Sequence, residues 1–304
     1  MSGHGAGGPA AGILLAFAAF AAFSFSDASV KLIDGGLPPY ESAFFGAVFG
    51  LAALPFLMRP DDRWGDILRT SNRRMWLLRF VAYPIGVMGS VTAFTHLSMA
   101  EAFALIFLQP AFVTIMSILI LKEKVGLRRW AAVLIGFIGV LIVLRPGFRE
   151  LSIGHLGALL AGLGGAIAVV TFRAAPVGEK HISLYGAGVL GAVILCGLIM
   201  IPGFRMPSLE QWVWLAGYGL LAALANVLLM HAAFRAPAAY VAPAQYSQML
   251  WALLLGYLVF GDSIDAIMLL GTACIIASGI LTLLRERKRG TPLPPAIGNL
   301  PPEG

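Results

Sequence analysis

Ten long runs of apolar residues, with little between them, constrain this chain more than any other feature. They cover roughly residues 13–33, 40–58, 75–97, 102–121 and 127–144, then 153–172, 182–201, 211–234, 239–260 and 264–284. A helix needs about 20 mostly apolar residues to cross the hydrocarbon core of a bilayer, so each run reads as a spanning helix. A membrane β-barrel is excluded, because its strands would show alternating segments of about 10 residues. Composition agrees: 59% of the 304 residues are hydrophobic and 12% charged, against about 45–50% and about 25% in an ordinary soluble domain. Such a chain lacks the polar coat that a soluble core needs. A soluble enzyme, a nucleic-acid-binding module and a disordered chain are excluded. The expectation is an all-α integral membrane protein with ten transmembrane helices.

Lysine and arginine set the orientation, because cytoplasmic loops carry an excess of both. With the N-terminus inside, the inner segments hold sixteen basic residues, in clusters from Arg59 to Arg74, Lys122 to Arg129 and Arg285 to Arg289, plus Arg173, Lys180 and Arg235. The outer segments hold four, Lys31, Arg145, Arg149 and Arg205. Both termini are therefore expected in the cytoplasm of a multi-pass inner-membrane protein. The net charge of +6 then serves anionic inner-leaflet lipid and calls for no nucleic acid. Arg79, inside the third run, is expected to snorkel to the inner headgroups. The first run reads as a retained helix, since the flank MSGHGAGGPA has no basic residue and Asp27 and Lys31 stand near its end. The tail after residue 286 is proline-rich and expected to be disordered.

The second half repeats the first. At an offset of 139, Gln109 falls on Gln248 and Glu123 on Asp262; one residue further, Gly139 falls on Gly279, Leu144 on Leu284 and Arg145 on Arg285. The agreement in order and spacing marks two five-helix repeats, residues 12–148 and 149–286, between an N-terminal segment 1–11 and the tail 287–304. Five is odd, so the copies enter the membrane from opposite sides. Inverted repeats are a known route to alternating access, which points to a transporter.

Several motifs carry a family resemblance. They are Gln109-Pro110, Lys122-Glu123, Gly136, Gly139 and Leu144-Arg145-Pro146, then Gly261-Asp262, Gly271 and Gly279. On these the chain resembles the EamA-type branch of the drug/metabolite transporter superfamily, over about residues 12–286, and is similar to its bacterial amino-acid exporters, aromatic ones included. The resemblance implies export of small metabolites through a cavity lined mainly by the third, fourth, eighth and ninth helices, with help from the first and sixth. Two departures stand out. Asp262 occupies a place where the pattern prefers Glu, and Met249 stands opposite Pro110, the nearest proline being Pro243.

Polar groups deep in a spanning helix are costly unless they meet a cavity or a partner helix, which makes them site candidates. In the third helix Pro84 removes a backbone hydrogen bond, so Tyr83 at the expected kink is a candidate for shaping a pocket; close packing of small residues is the structural alternative. Gln245 and Gln248 share a helix face, Tyr246 stands between them, and the repeat would bring Gln109 opposite. Amides offer donors and acceptors together, which suits a zwitterion. Asn226 and Trp251 complete the substrate-binding set. Asp27 and Lys31, spaced i,i+4, are able to pair. With His96, Pro84, Pro110 and Pro243 they form the coupling and gating set. Glu123 and Asp262 are read as structural, capping the fifth and tenth helices.

No nucleotide-binding loop, GxSxG, HExxH or cysteine/histidine cluster occurs. Neither a cofactor nor a metal is expected. The first reading is a secondary transporter or facilitator that exports small metabolites, most readily amino acids, aromatic ones included, working as a monomer with membrane lipid as its other partner. A phosphorylated-metabolite carrier or drug/proton antiporter of the same superfamily is the second reading. A membrane-embedded enzyme is the third, with Asp27 and His96 as its only constructible acid–base pair.

Overall fold

The computed structural model describes residues 9–123, 126–145, 151–175, 179–236 and 238–288, and these are all helical or irregular, without a strand. Each apolar run folds as helix: α1 (Pro9–Lys31), α2 (Pro39–Leu57), α3 (Arg73–His96), α4 (Met99–Leu119) and α5 (Leu127–Leu144). The second set is α6 (Ile153–Arg173), α7 (His181–Gly203), α8 (Leu209–Arg235), α9 (residues 238–260) and α10 (Ala266–Lys288). Seven of these, α1 to α4 and α6 to α8, are long and apolar enough to cross a membrane unaided. The apolar parts of α5 and α10 are shorter, Trp130–Leu144 and Ala266–Leu281, and α9 is interrupted. Helix α1 begins inside the segment expected to precede it, and α10 runs past residue 286. Residues 1–8 and 289–304, with the proline-rich tail, lie outside the described residues.

Helices α4 and α9 are each broken at matching places. In α4 one half ends at Ile106 and the next starts at Gln109. Pro110 is the second residue of that new half, where a missing N–H costs nothing, while its ring bars the chain from continuing smoothly out of the preceding turn. In α9 the break is a 3-10 turn, Ala242–Tyr246, with Pro243 in its first turn, before the helix resumes at Ser247. Pro84 behaves differently: α3 runs through it unbroken. The Phe80 carbonyl that Pro84 leaves unbonded lies against Gly191 of α7, where a β-carbon would overlap it.

Glycines set the closest packing. A β-carbon on Gly89 would meet the Gly157 carbonyl, one on Gly157 would lie 2.6 Å from the Gly89 carbonyl, and one on Gly164 would lie 2.8 Å from the Gly86 Cα. Backbones this close hold α3 flush against α6, as small-residue stripes do in membranes. Gly139 and Gly271 join α5 to α10 in the same way. The contacts also fix direction. Gly154 packs on His96 and Leu97, while Arg79 hydrogen-bonds the Ala168 carbonyl at 3.1 Å, so α3 and α6 are antiparallel. The bundle thus has two ends, one near Lys31, Leu97 and Gly154, the other near Arg173. Along α6 they are about 28 Å apart at 1.5 Å per residue.

Arg79 corrects an expectation. It does not reach for headgroups but is 6% exposed, bonded to Ala168 and stacked with its Cζ 4.1 Å from the Phe172 ring. A guanidinium on a long stem takes either course; the facing carbonyl and ring of α6 make the buried one affordable.

Candidate functional site

Midway between the two ends a cavity of about 250 Å³ opens among α1, α3, α4, α6, α8 and α9. Its walls follow from the packing just described. Gly86 on α3, with Gly164 and Gly165 on α6, leaves room where larger side chains would fill the gap. The breaks in α4 and α9 turn Gln109 and Gln248 into the first turn of a new helical half on each side. Seven polar side chains line the space: Asp27, Tyr83, Ser90, Gln109, Tyr218, Gln245 and Gln248. Among the described residues none of these side chains makes a hydrogen bond or an ion pair. Phe103 and Phe107 add apolar wall. Polar groups inside proteins are nearly always bonded, so seven idle ones around one space describe a site whose partners come from outside the chain.

The other sequence candidates lie elsewhere. Tyr246 stacks on Phe107 with centroids 5.6 Å apart and packs against Gly279, beside the cavity wall and not in it. Asn226 donates to the Ala222 carbonyl at 2.8 Å and borders a separate small cleft with Arg59 and His181. Trp251 packs on Phe25, which is 42% exposed on the outside of the bundle. His96 is exposed, its Nδ1 2.9 Å from the Thr92 carbonyl oxygen. Pro84 is buried in α3, and Pro110 lines a small apolar cleft behind Tyr246. Tyr218 and Ser90 were not among the candidates. Tyr218 is the one tyrosine of α8, between Gly217 and Gly219, and only that flank of small residues set it apart.

Asp27 and Lys31 are not paired. The Lys31 ammonium donates to the carbonyls of Phe94 at 3.2 Å and Leu97 at 2.6 Å, and lies 5.1 Å from the Phe260 ring centroid. Asp262, within electrostatic reach of Lys31, accepts from the Met99 N–H at 3.0 Å. Asp262 therefore caps the start of α4, not of α10 as its sequence position suggested. At the opposite end Arg173 forms an ion pair with Glu123 and donates to Ser117 Oγ at 3.1 Å. So Glu123, too, is engaged across helices. Nearby, Lys180 bonds Asp66 at 2.8 Å and Asp62 at 3.0 Å. That lysine bond holds the Asp66 carboxyl below its ordinary value of 3.8. Among the described residues no group of three His, Cys, Asp or Glu is placed to hold a metal.

Comparison with known proteins fits this architecture. The model of the EamA-like transporter family matches residues 10–145 and again residues 152–284. A riboflavin transporter of Rhizobium johnstonii is 30% identical over 255 residues, 83% of this chain and 83% of that one. A riboflavin transporter of Vibrio cholerae is 31% identical over 293 residues, 92% of this chain and 95% of that one. The pseudopaline exporter CntI of Pseudomonas aeruginosa is 26% identical over 279 residues, 91% and 97% of the two chains. One solved crystal structure superposes with a TM-score of 0.60 at 16% identity, over 92% of this chain and 99% of that one, a likeness of fold.

Proposed function

The chain belongs to the EamA-like transporter family, and from that premise we propose that it is a ten-span secondary transporter exporting small amino-acid-sized metabolites from the cytoplasm by alternating access. The carrying observation is the central cavity with its seven polar side chains that have no hydrogen-bond or ion-pair partner among the described residues. Its 250 Å³ lies just below the roughly 300–1,000 Å³ of ordinary ligand sites. A single-ring amino acid suits that space, with the glutamine amides and tyrosine hydroxyls to meet its polar end. Both termini are cytoplasmic in this reading, and the two matched stretches are the inverted repeats.

The ends of the bundle support alternation. Lys31 is the last residue of the first helix in one repeat and Arg173 the last of the first helix in the other. Each cation faces an acid just past the fourth helix of the opposite repeat, Asp262 and Glu123 respectively. Two related contacts at opposite ends suit a rocking of one repeat against the other around a fixed site. By the charge bias, the Arg173 contact is cytoplasmic.

The test is flux of labelled phenylalanine, tryptophan, methionine, threonine and riboflavin from proteoliposomes, with and without a pH gradient. Saturable amino-acid flux, reduced at least tenfold by Gln109→Ala with Gln248→Ala, is the expected result. Flux of riboflavin alone would favour a riboflavin carrier instead, the substrate named for the two relatives at 30% and 31% identity. No flux of any of the five from folded protein would sink the substrate class.

A further inference from the structure

The cavity holds one carboxylate that no other described residue answers. Asp27 lines it one helical turn before the end of α1. Among the described residues its oxygens have neither an ion pair nor a hydrogen bond. The cations one turn from Asp27 and from its cavity neighbour Tyr83 are committed elsewhere. Lys31, one turn on, is held by the Phe94 and Leu97 carbonyls, and Arg79, one turn from Tyr83, is held by Ala168 and the Phe172 ring. The elements packed around Asp27 present no charge to the cavity. Helix α3 offers Tyr83, α8 offers Tyr218 and α9 offers Gln245 and Gln248.

A carboxylate inside a membrane protein is expensive to keep unless a cation or a polar cavity compensates it. We infer that Asp27 is the counter-charge for an ammonium group on the substrate, so that this cavity selects organic amines over anions. The inference rests on reading the cavity as the transport site. Aromatic rings are at hand in Tyr83, Phe103, Phe107 and Tyr218, and such rings attract organic cations. A substrate carboxylate or phosphate finds no lysine or arginine among the residues lining the cavity and has only amides and hydroxyls to meet it. Affinity therefore falls from a simple amine or amino-acid amide, through the zwitterionic amino acid, to its N-acylated anion.

Calorimetric binding to the purified full-length protein tests this with five probes sharing one ring: phenethylamine, phenylalanine amide, phenylalanine, N-acetylphenylalanine and the uncharged 2-phenylethanol. The expected result is at least about tenfold tighter binding of the amine than of the alcohol, corresponding to about 1.4 kcal/mol. Asp27→Asn removes that preference and Asp27→Glu keeps it, both variants first checked for monodispersity. Equal binding of amine and alcohol overturns the inference. So does a preference unchanged in Asp27→Asn, or no binding by any of the five. Flux is scored separately. Asp27-dependent amine binding without transport would refute the transport reading and leave the amine site standing, while transport without amine preference would do the reverse.

Discussion

The two ends of the bundle hold the same position of the repeat with different hardware. At one end Arg173 meets Glu123 and Ser117, side chain to side chain, with 17% and 32% of the two charged side chains exposed. At the other, Lys31 is spent on two main-chain carbonyls and Asp262 on a main-chain N–H. A side-chain pair at a half-open surface dissolves into water with little loss. Bonds that end on the backbone leave a helix terminus unsatisfied when they break. The Arg173 end is accordingly the easier one to open, and the Lys31 end the stiffer. A third contact, the Arg145–Asp265 ion pair that joins α5 to the start of α10, adds to the Lys31 end.

The sharpest way to break this comparison is to reverse the charges at each end. Lys31→Asp with Asp262→Lys loses transport and lowers the melting temperature by several degrees, because carbonyls cannot accept from a carboxylate nor an N–H donate to an ammonium. Each charge-assisted bond lost is worth about 1.5–3 kcal/mol. Arg173→Glu with Glu123→Arg keeps most of the flux, since that pair is sign-symmetric; equal damage at both ends would refute the distinction. Next in size, a double-mutant cycle between Arg173→Ala and Glu123→Ala gives a coupling of no more than about 1 kcal/mol by thermal unfolding.

Changes between the ends separate binding from opening. A β-carbon at Gly165 would lie 2.9 Å from Cδ and Oε1 of Gln109. Gly165→Ala therefore moves that amide and raises KM about threefold to tenfold, a loss of order 1 kcal/mol typical of one displaced hydrogen bond. Variants at the ends change kcat first. A KM effect from the Glu123 variants and none from Gly165→Ala would reverse the assignment. The smallest effect is expected from Lys180→Ala. Asp66 has a depressed carboxyl chiefly through its hydrogen bond from Lys180, so their contact contributes stability that is whole at neutral pH. It is lost as pH falls below 3.8 through the folded-state value. The melting-temperature difference between parent and variant should close over that acid range and stay constant from pH 5 to 8.

Much of the helical layout was legible, because an apolar run of spanning length has few ways to satisfy its backbone in lipid. At Pro84, where the kink was expected, α3 runs through unbroken, whereas the helices carrying Pro110 and Pro243 are the ones interrupted. The candidate site was legible only in part. Asp27, Tyr83, Gln109, Gln245 and Gln248 line the cavity, but Tyr246, Asn226 and Trp251 read no differently in sequence and are occupied by Phe107, Ala222 and Phe25. Tyr218 passed unnoticed although it sits among the same polar groups. Nothing local to a tyrosine in an apolar helix says which neighbour it will meet.

By itself, then, the sequence determined that this chain is helical, membrane-embedded and repeated in two halves. Each of these follows from hydrophobic length, charge bias or the spacing of matched residues. Only the tertiary structure decided which polar groups are spent and which are free. Arg79 is buried because α6 presents a carbonyl and a ring to it. Asp262 caps α4 because the first residue of that helix lies across from it. Asp27 faces an open cavity because Lys31, four residues away, found its partners at the end of α3. The partner of a polar group is a property of helix packing, and packing joins residues that are 63 and 163 positions apart.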